Sequence, residues 1–158
     1  MRPRMLITSA LATVLTVLVA LAALSLTTTP AAAASRGARV QHALNIARAQ
    51  LGDPYRYGAA GPSAFDCSGL MYYSFHRAGF TGLPRTSAAQ ARFVRHIPRS
   101  HMRPGDFVFF YDAGGVYHVG IFARYRSGHR VIIHAPYPGK RVQRERIWTS
   151  RWFAGTLR

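Results

Sequence analysis

One cysteine, Cys67, lies in Phe65-Asp66-Cys67-Ser68-Gly69-Leu70, where a glycine-rich loop turns into an apolar helical run. A lone thiol closes no internal disulfide and supplies no Cys₃ or Cys₄ metal site, which leaves an inert packed thiol or a nucleophile. Packing is the commoner fate of a cysteine. The position favours chemistry, because a helix N-terminus offers unpaired N–H groups and a positive dipole end to a thiolate. A thiol nucleophile also needs a base and a group that orients the base. His118 and His134, on two later strand-like segments, are the candidates, although the chain has seven histidines and most must be incidental. Zinc held by Cys67, His118 and His134 is a further reading by ligand type, but no H-x-x-x-H or H-x-x-E-H pair accompanies them, so no metal is expected. The acidic residues are only Asp53, Asp66, Asp106, Asp112 and Glu145, which argues against hydrolysis by paired carboxylates. Asp66 reads either as a helix cap or as a contact for substrate, and Asp106, after Pro104-Gly105, as a turn residue.

The elements that must position these groups follow from periodicity. Val40, Ala43, Leu44, Ala47 and Leu51 recur at helical spacing, predicting a helix over 39–51 that Gly52 ends. Tyr55-Arg56-Tyr57 reads as short and extended. A buried helix is expected from Cys67 to Ala78, with Gly79 as its stop. Ser87-Ala88-Ala89-Gln90 matches a capping box and opens a third helix to about Val94. The period then changes to that of strands: Phe107–Tyr111, Val116–Tyr125 and Arg130–Ala135, with shorter ones suggested by Val142 and Ile147. Helices followed by antiparallel strands define an α+β domain. A three-residue loop at Arg126-Ser127-Gly128 pairs Tyr125 with His129, and counting outward sets His134 opposite Gly120. His134 then lies diagonal to His118 on one face, about 7–8 Å away at Cα. A slip of one residue would part the two histidines.

The N-terminus is basic, then apolar from Met5 to Leu26, then small residues from Ala31 to Ala34. That pattern is a secretory leader over residues 1–34, cut before Ser35. An uncleaved anchor is the competing reading, because the apolar run is long enough to span a bilayer. Residues 35–158 suffice for one domain, with no separate wall-binding module and no stable membrane insertion once the leader is cut. The formal net charge is +16, of which Arg2 and Arg4 account for two, and Lys140 is the only lysine. Such an excess implies an anionic partner. For an exported protein these are wall polymers, membrane surfaces or carboxylate-bearing substrates. Nucleic acid is disfavoured because the arginines are scattered rather than interleaved with aromatics.

Several motifs run in one order along the mature chain: Pro54-Tyr55-x-Tyr57-Gly58, Gly61-Pro62, Phe65-Asp66-Cys67-Ser68-Gly69-Leu70, Pro84-Arg85-Thr86-Ser87-x-x-Gln90, Pro104-Gly105-Asp106, His118-Val119-Gly120-Ile121 and Ile133-His134-Ala135-Pro136. Together they resemble the NlpC-type family of bacterial cell-wall cysteine peptidases, from about Val40 to Val142. The resemblance implies a papain-like α+β fold with N-terminal helices packed on a central antiparallel sheet. It implies hydrolysis within peptidoglycan stem peptides, commonly between γ-linked D-glutamate and the following diamino acid, without cofactor. By motif position it makes Cys67 the nucleophile, His118 the base and His134 the orienting residue. Tyr55 becomes an oxyanion-hole donor beside the Cys67 N–H, and Asp66, Ser68 and Arg85 the substrate-binding rim. Tyr57 departs from the family, standing where tryptophan is frequent. The resulting expectation is a monomeric enzyme, secreted or wall-associated, that binds stem peptides and anionic wall polymers. An amidase or acyltransferase with the same triad, or a catalytically silent cationic wall- or membrane-binding domain, are the alternatives.

Overall fold

The computed structural model describes residues 35–158; the leader expected over 1–34 lies outside the described residues. Ser35 caps α1 (Arg36–Ala49), its Oγ accepting from the Ala38 N–H at 3.2 Å, and this cap starts the helix three residues before the expected start at residue 39. Val40, Ala43, Leu44 and Ala47 form the buried face. Asp66 caps α2 (Cys67–Arg77), and Gly79, at φ 88°, provides the left-handed residue after its end.

In α3 (Ser87–Phe93) the cap is Thr86 rather than Ser87, with Thr86 Oγ1 accepting from the Ala89 N–H at 3.4 Å. Gln90 therefore has no capping role. It is fully buried, and its Nε2 donates to the carbonyls of Ser68 (3.0 Å) and Pro84 (2.9 Å), tying the first turn of α2 to the segment that carries Arg85.

Among the described residues six strands form one sheet: β1 (Arg95–Ile97), β2 (Phe107–Asp112), β3 (Gly115–Arg126), β4 (His129–His134), β5 (Gln143–Arg146) and β6 (Trp152–Thr156). The order is β1-β6-β2-β3-β4-β5, with every neighbouring pair antiparallel. Phe107, Phe109, Val119, Ile121 and Ile133 meet Leu44, Leu70, Met71 and Phe75 of the helices in the main core. Val108, Phe110, Phe122, Ile132 and Ala154 form a second cluster with Met102 and Trp152. This is the α+β arrangement that the change of period implied. The strands β1 and β6 are not foreshadowed by the sequence, because they are short and β6 is drawn into the sheet interior by long-range pairing with β2.

Asp106 is more than a turn residue. It accepts from the Arg103 N–H (2.7 Å) as a turn residue would, yet it is buried. There it also accepts from Thr156 Oγ1 (2.6 Å) and pairs with Arg158 (3.4 Å), fastening the C-terminal strand.

The β3–β4 hairpin differs from the sequence reading in its turn but not at its far end. The loop has two residues, Ser127 and Gly128, with φ 48° and 75°, so Arg126 pairs with His129 and Tyr125 with Arg130. A bulge at Ala123 then restores the expected alignment: Phe122 pairs with Ile132 and Ile121 with Ile133. The next step along the ladder sets His134 against Gly120. A Cβ on Gly120 would come within 3.2 Å of the His134 Cβ and 2.9 Å of Ile132 Cδ1, so the glycine makes room for the histidine.

Candidate active site

Cys67 opens α2 because the loop before it is locked to the helix start. Asp66 Oδ1 accepts from the Gly69 N–H at 2.6 Å and Oδ2 from the Gly58 N–H at 2.8 Å. Arg85 grips the same carboxylate with both arms of its guanidinium, Nη1–Oδ1 at 3.0 Å and Nη2–Oδ2 at 2.7 Å. It also donates to Ser68 Oγ (3.0 Å) and the Ala59 carbonyl (3.2 Å). A Cβ on Gly69 would lie 2.0 Å from the Ala59 carbonyl oxygen, so only glycine lets loop and helix meet this closely. Asp66 is thus a cap, as one of its two readings held, and Arg85 spends its fork on it. Tyr55, Asp66, Cys67, Ser68 and Arg85 nevertheless line one cavity of about 440 Å³, so all five expected residues on this side are brought together.

His118 and His134 are both buried, with His118 Nε2 2.8 Å from His134 Nδ1 and the rings nearly perpendicular. The chain of bonds continues beyond the expected triad. His134 Nε2 lies 3.0 Å from Glu145 Oε2, which also accepts from Gln143 Nε2 at 3.0 Å. Glu145 was legible in the sequence only as one of five acids. Its place follows from β5 pairing with β4, which puts it two residues from Gln143, the partner of His134, and so on the same face of the sheet.

These bonds fix the tautomers. A carboxylate only accepts, so His134 Nε2 carries the proton and His134 Nδ1 accepts from His118 Nε2–H. His118 Nδ1 is left as an unprotonated nitrogen. His118 Nε2 and His134 Nδ1 are thus committed to this bond.

Burial governs the electrostatics. It lowers His118 to about 3, with His134 lowering it further and Glu145 opposing, and lowers His134 to about 4. Burial also pushes the Cys67 thiol up, with Asp66 adding to the rise and the N–H groups of Val119, Ser68 and Cys67 opposing it. The helix terminus does act on the sulfur as the sequence suggested, but desolvation outweighs it. This environment favours a neutral thiol and a neutral imidazole at rest rather than the expected ion pair. The Tyr55 phenol is raised by burial first and then by the neighbouring Cys67 and Asp66, so it remains a proton donor.

A second cavity of about 490 Å³ lies on the histidine side, lined by Tyr117, His118, His134, Tyr137, Glu145 and Trp148 among others. Tyr117 borders both cavities, so the one that holds Cys67 and the one that holds the histidines meet at that residue. It is the extra residue of a bulge, since Phe110 pairs with His118 but Tyr111 with Val116. The sequence reading singled out none of Tyr117, Tyr137 and Trp148, which look like ordinary strand and loop aromatics.

An antiparallel sheet with helices on its main core, a cysteine at a helix start whose thiol meets the Val119 N–H, and two bonded histidines, one of them the residue before Val119, define a papain-like α+β domain. The chain belongs to the NlpC/P60 family, whose sequence model matches residues 52–158. A probable endopeptidase of Corynebacterium glutamicum is 44% identical over 107 residues, covering 67% of this chain and 48% of that protein. A gamma-D-glutamyl-L-lysine dipeptidyl-peptidase of Bacillus subtilis is 35% identical over 96 residues, covering 59% of this chain and 31% of its own length. The chain thus spans about half or less of these relatives. Among solved structures, the NlpC/p60 domain of the peptidoglycan hydrolase SagA aligns with a TM-score of 0.64 at 31% identity, covering 75% of this chain and 98% of that domain.

Proposed function

We propose that the protein is a secreted cysteine endopeptidase that cleaves amide bonds in peptidoglycan stem peptides. The observation that carries this reading is the line of hydrogen bonds from Glu145 through His134 to His118, at 3.0 and 2.8 Å, together with the Cys67 thiol at a helix N-terminus, which meets the backbone N–H of Val119, the residue after His118. In this mechanism His118 Nδ1 takes the Cys67 proton as the sulfur attacks the scissile carbonyl, so proton transfer and S–C bond formation proceed together from a neutral pair. The oxyanion is held by the Cys67 N–H and the Tyr55 hydroxyl. His118 returns the proton to the leaving amine, and water, deprotonated by His118, then hydrolyses the thioester. His134 orients the base, and Glu145 holds His134 in the tautomer this requires.

Asp66, Ser68 and Arg85 form the polar wall of the cavity beside Cys67, suited to the amine and carboxylate groups of a stem peptide. Family membership and the relative named for a γ-D-glutamyl-L-lysine bond support cleavage after γ-linked D-glutamate. Residues 1–34 act as a leader removed before Ser35, which Edman sequencing of the protein from culture medium tests.

Digestion of purified muropeptides with mass analysis of the products tests the activity. The expected result is a single amide cleaved next to the diamino acid, and no turnover by a folded Cys67→Ala variant. Continued turnover by that variant sinks the mechanism.

A further inference from the structure

Away from the candidate active site, Arg124, Arg126, Arg144 and Arg146 line a concavity of about 310 Å³ with Ser127 and Val131. The register explains why they converge. Arg124 pairs with Val131, and Val131 with Arg146, so the two arginines stand on either side of one valine across three strands. Their Cα atoms are therefore about 10 Å apart, two inter-strand spacings. Arg126 and Arg144 are each two residues along their strands from these, hence on the same face. The bulge at Ala123 produces this: an unbulged β3 would send Arg124 and Arg126 to the other face.

All four residues are exposed, and among the described residues none of the four guanidinium groups has a hydrogen-bond or ion-pair partner. Neighbouring arginines differ. Arg130, on the same hairpin, donates to the Arg99 carbonyl and lies over Trp152, and Arg141 donates to the Gly52 carbonyl. Glu145 also borders the concavity, but its Oε2 is taken by His134 and Gln143.

Four unpaired cations held on one rigid face repel one another unless an anion joins them. The planar fork of arginine matches phosphate oxygens two at a time. We infer that the face of β3, β4 and β5 bearing Arg124, Arg126, Arg144 and Arg146 is a binding site for a phosphodiester polymer without bases, of the polyol-phosphate kind. Two features select this partner. A span of about 10 Å lets successive phosphates of one flexible strand meet different arginines. The lining carries no aromatic ring, whereas single-stranded nucleic acid is gripped largely by stacking on aromatics. The site would hold the domain on a phosphate-bearing wall while the cleft works, and it does not depend on the catalytic assignment.

The test is fluorescence anisotropy with labelled poly(glycerol phosphate), poly-L-glutamate and a single-stranded DNA oligonucleotide of equal charge number at one ionic strength. Two variants carry the same charge change: Arg124, Arg126, Arg144 and Arg146→Gln, and a control of four exposed arginines outside β3, β4 and β5, Arg92, Arg95, Arg103 and Arg151→Gln. The wild type should bind poly(glycerol phosphate) at least 10-fold more tightly than polyglutamate and no less tightly than DNA. The first variant should lose at least 10-fold and the control less than 3-fold, with both giving wild-type circular dichroism. A third variant with lysine at the four positions keeps the charge and should lose several-fold with the forks. Equal loss in the first two variants would reduce the site to net charge. Undiminished binding by the first, unchanged binding by the lysine variant, equal affinity for polyglutamate, or tighter binding of DNA would each overturn the proposal.

Discussion

Glu145 ends the line of hydrogen bonds at the candidate site, and it is the member most open to solvent, at 43% side-chain exposure. Its carboxylate both selects the His134 tautomer and raises the affinity of His118 for a proton. Glu145→Gln keeps an acceptor oxygen within reach but removes the charge. Turnover of muropeptides should fall about 10-fold, and the acid limb of kcat/KM should move to lower pH because His118 loses a favourable neighbour. A purely structural role would lower the rate without moving the limb.

The two histidines also make stability depend on pH. Their folded values, about 3 and about 4, lie below the ordinary 6.5. On acidification the unfolded chain therefore takes up protons first. The stabilising difference is complete above about 6.5 and is lost as pH falls toward 4 and then 3, by about 1.4 kcal/mol per histidine for each unit crossed. Urea unfolding at pH 7 and pH 5 should show the protein several kcal/mol less stable at the lower pH, with a shallower dependence in His134→Gln.

Among the elements, the start of α2 shows how much depends on one contact. The Ala59 carbonyl accepts from the Asp66 N–H at 2.9 Å and passes over Gly69 too closely for any side chain there. In Gly69→Ala the loop and helix must separate, loosening the Asp66 and Arg85 bonds that fix Cys67. A loss of about 3 kcal/mol in stability is expected from overpacking alone, with activity falling further than stability because the thiol shifts. Thermal unfolding and muropeptide turnover of the same variant check both. The bulges in β3 are the other decisive elements. The one at Tyr117 puts that ring between the two cavities, and the one at Ala123 aligns His134 with Gly120.

For the whole molecule, net charge and closed-site charge respond differently to salt. Dispersed surface cations act over a Debye length, about 8 Å at physiological ionic strength and about 3 Å at 1 M. The Asp66–Arg85 pair has short bidentate geometry and is partly buried, so salt screens it less. Binding to intact sacculi should therefore weaken steeply across a salt series while cleavage of soluble muropeptides changes little. Co-sedimentation and a soluble hydrolysis assay read the two, and parallel losses would remove the adhesive role of the charge.

The sequence by itself determined what is local. A lone thiol at a capped helix start, the apolar stripe of α1, the strand-like run Phe107–Tyr111 and a large arginine excess all depend on near neighbours in the chain. They were enough for the α+β class, and the motif order was enough for the family. It also aligned His134 with Gly120, although by a different turn from the one that forms, because turn and bulge displace the register by equal and opposite steps. Only the tertiary structure decided what depends on distant pairing. The insertion of β6 between β1 and β2, the burial of Asp106 against Thr156, and the delivery of Glu145 to His134 all join residues far apart in the chain. The protonation of the site belongs there too. A helix terminus favours the thiolate and can be read from local sequence, but the desolvation that overrides it exists only once Cys67, His118 and His134 are enclosed by the folded chain.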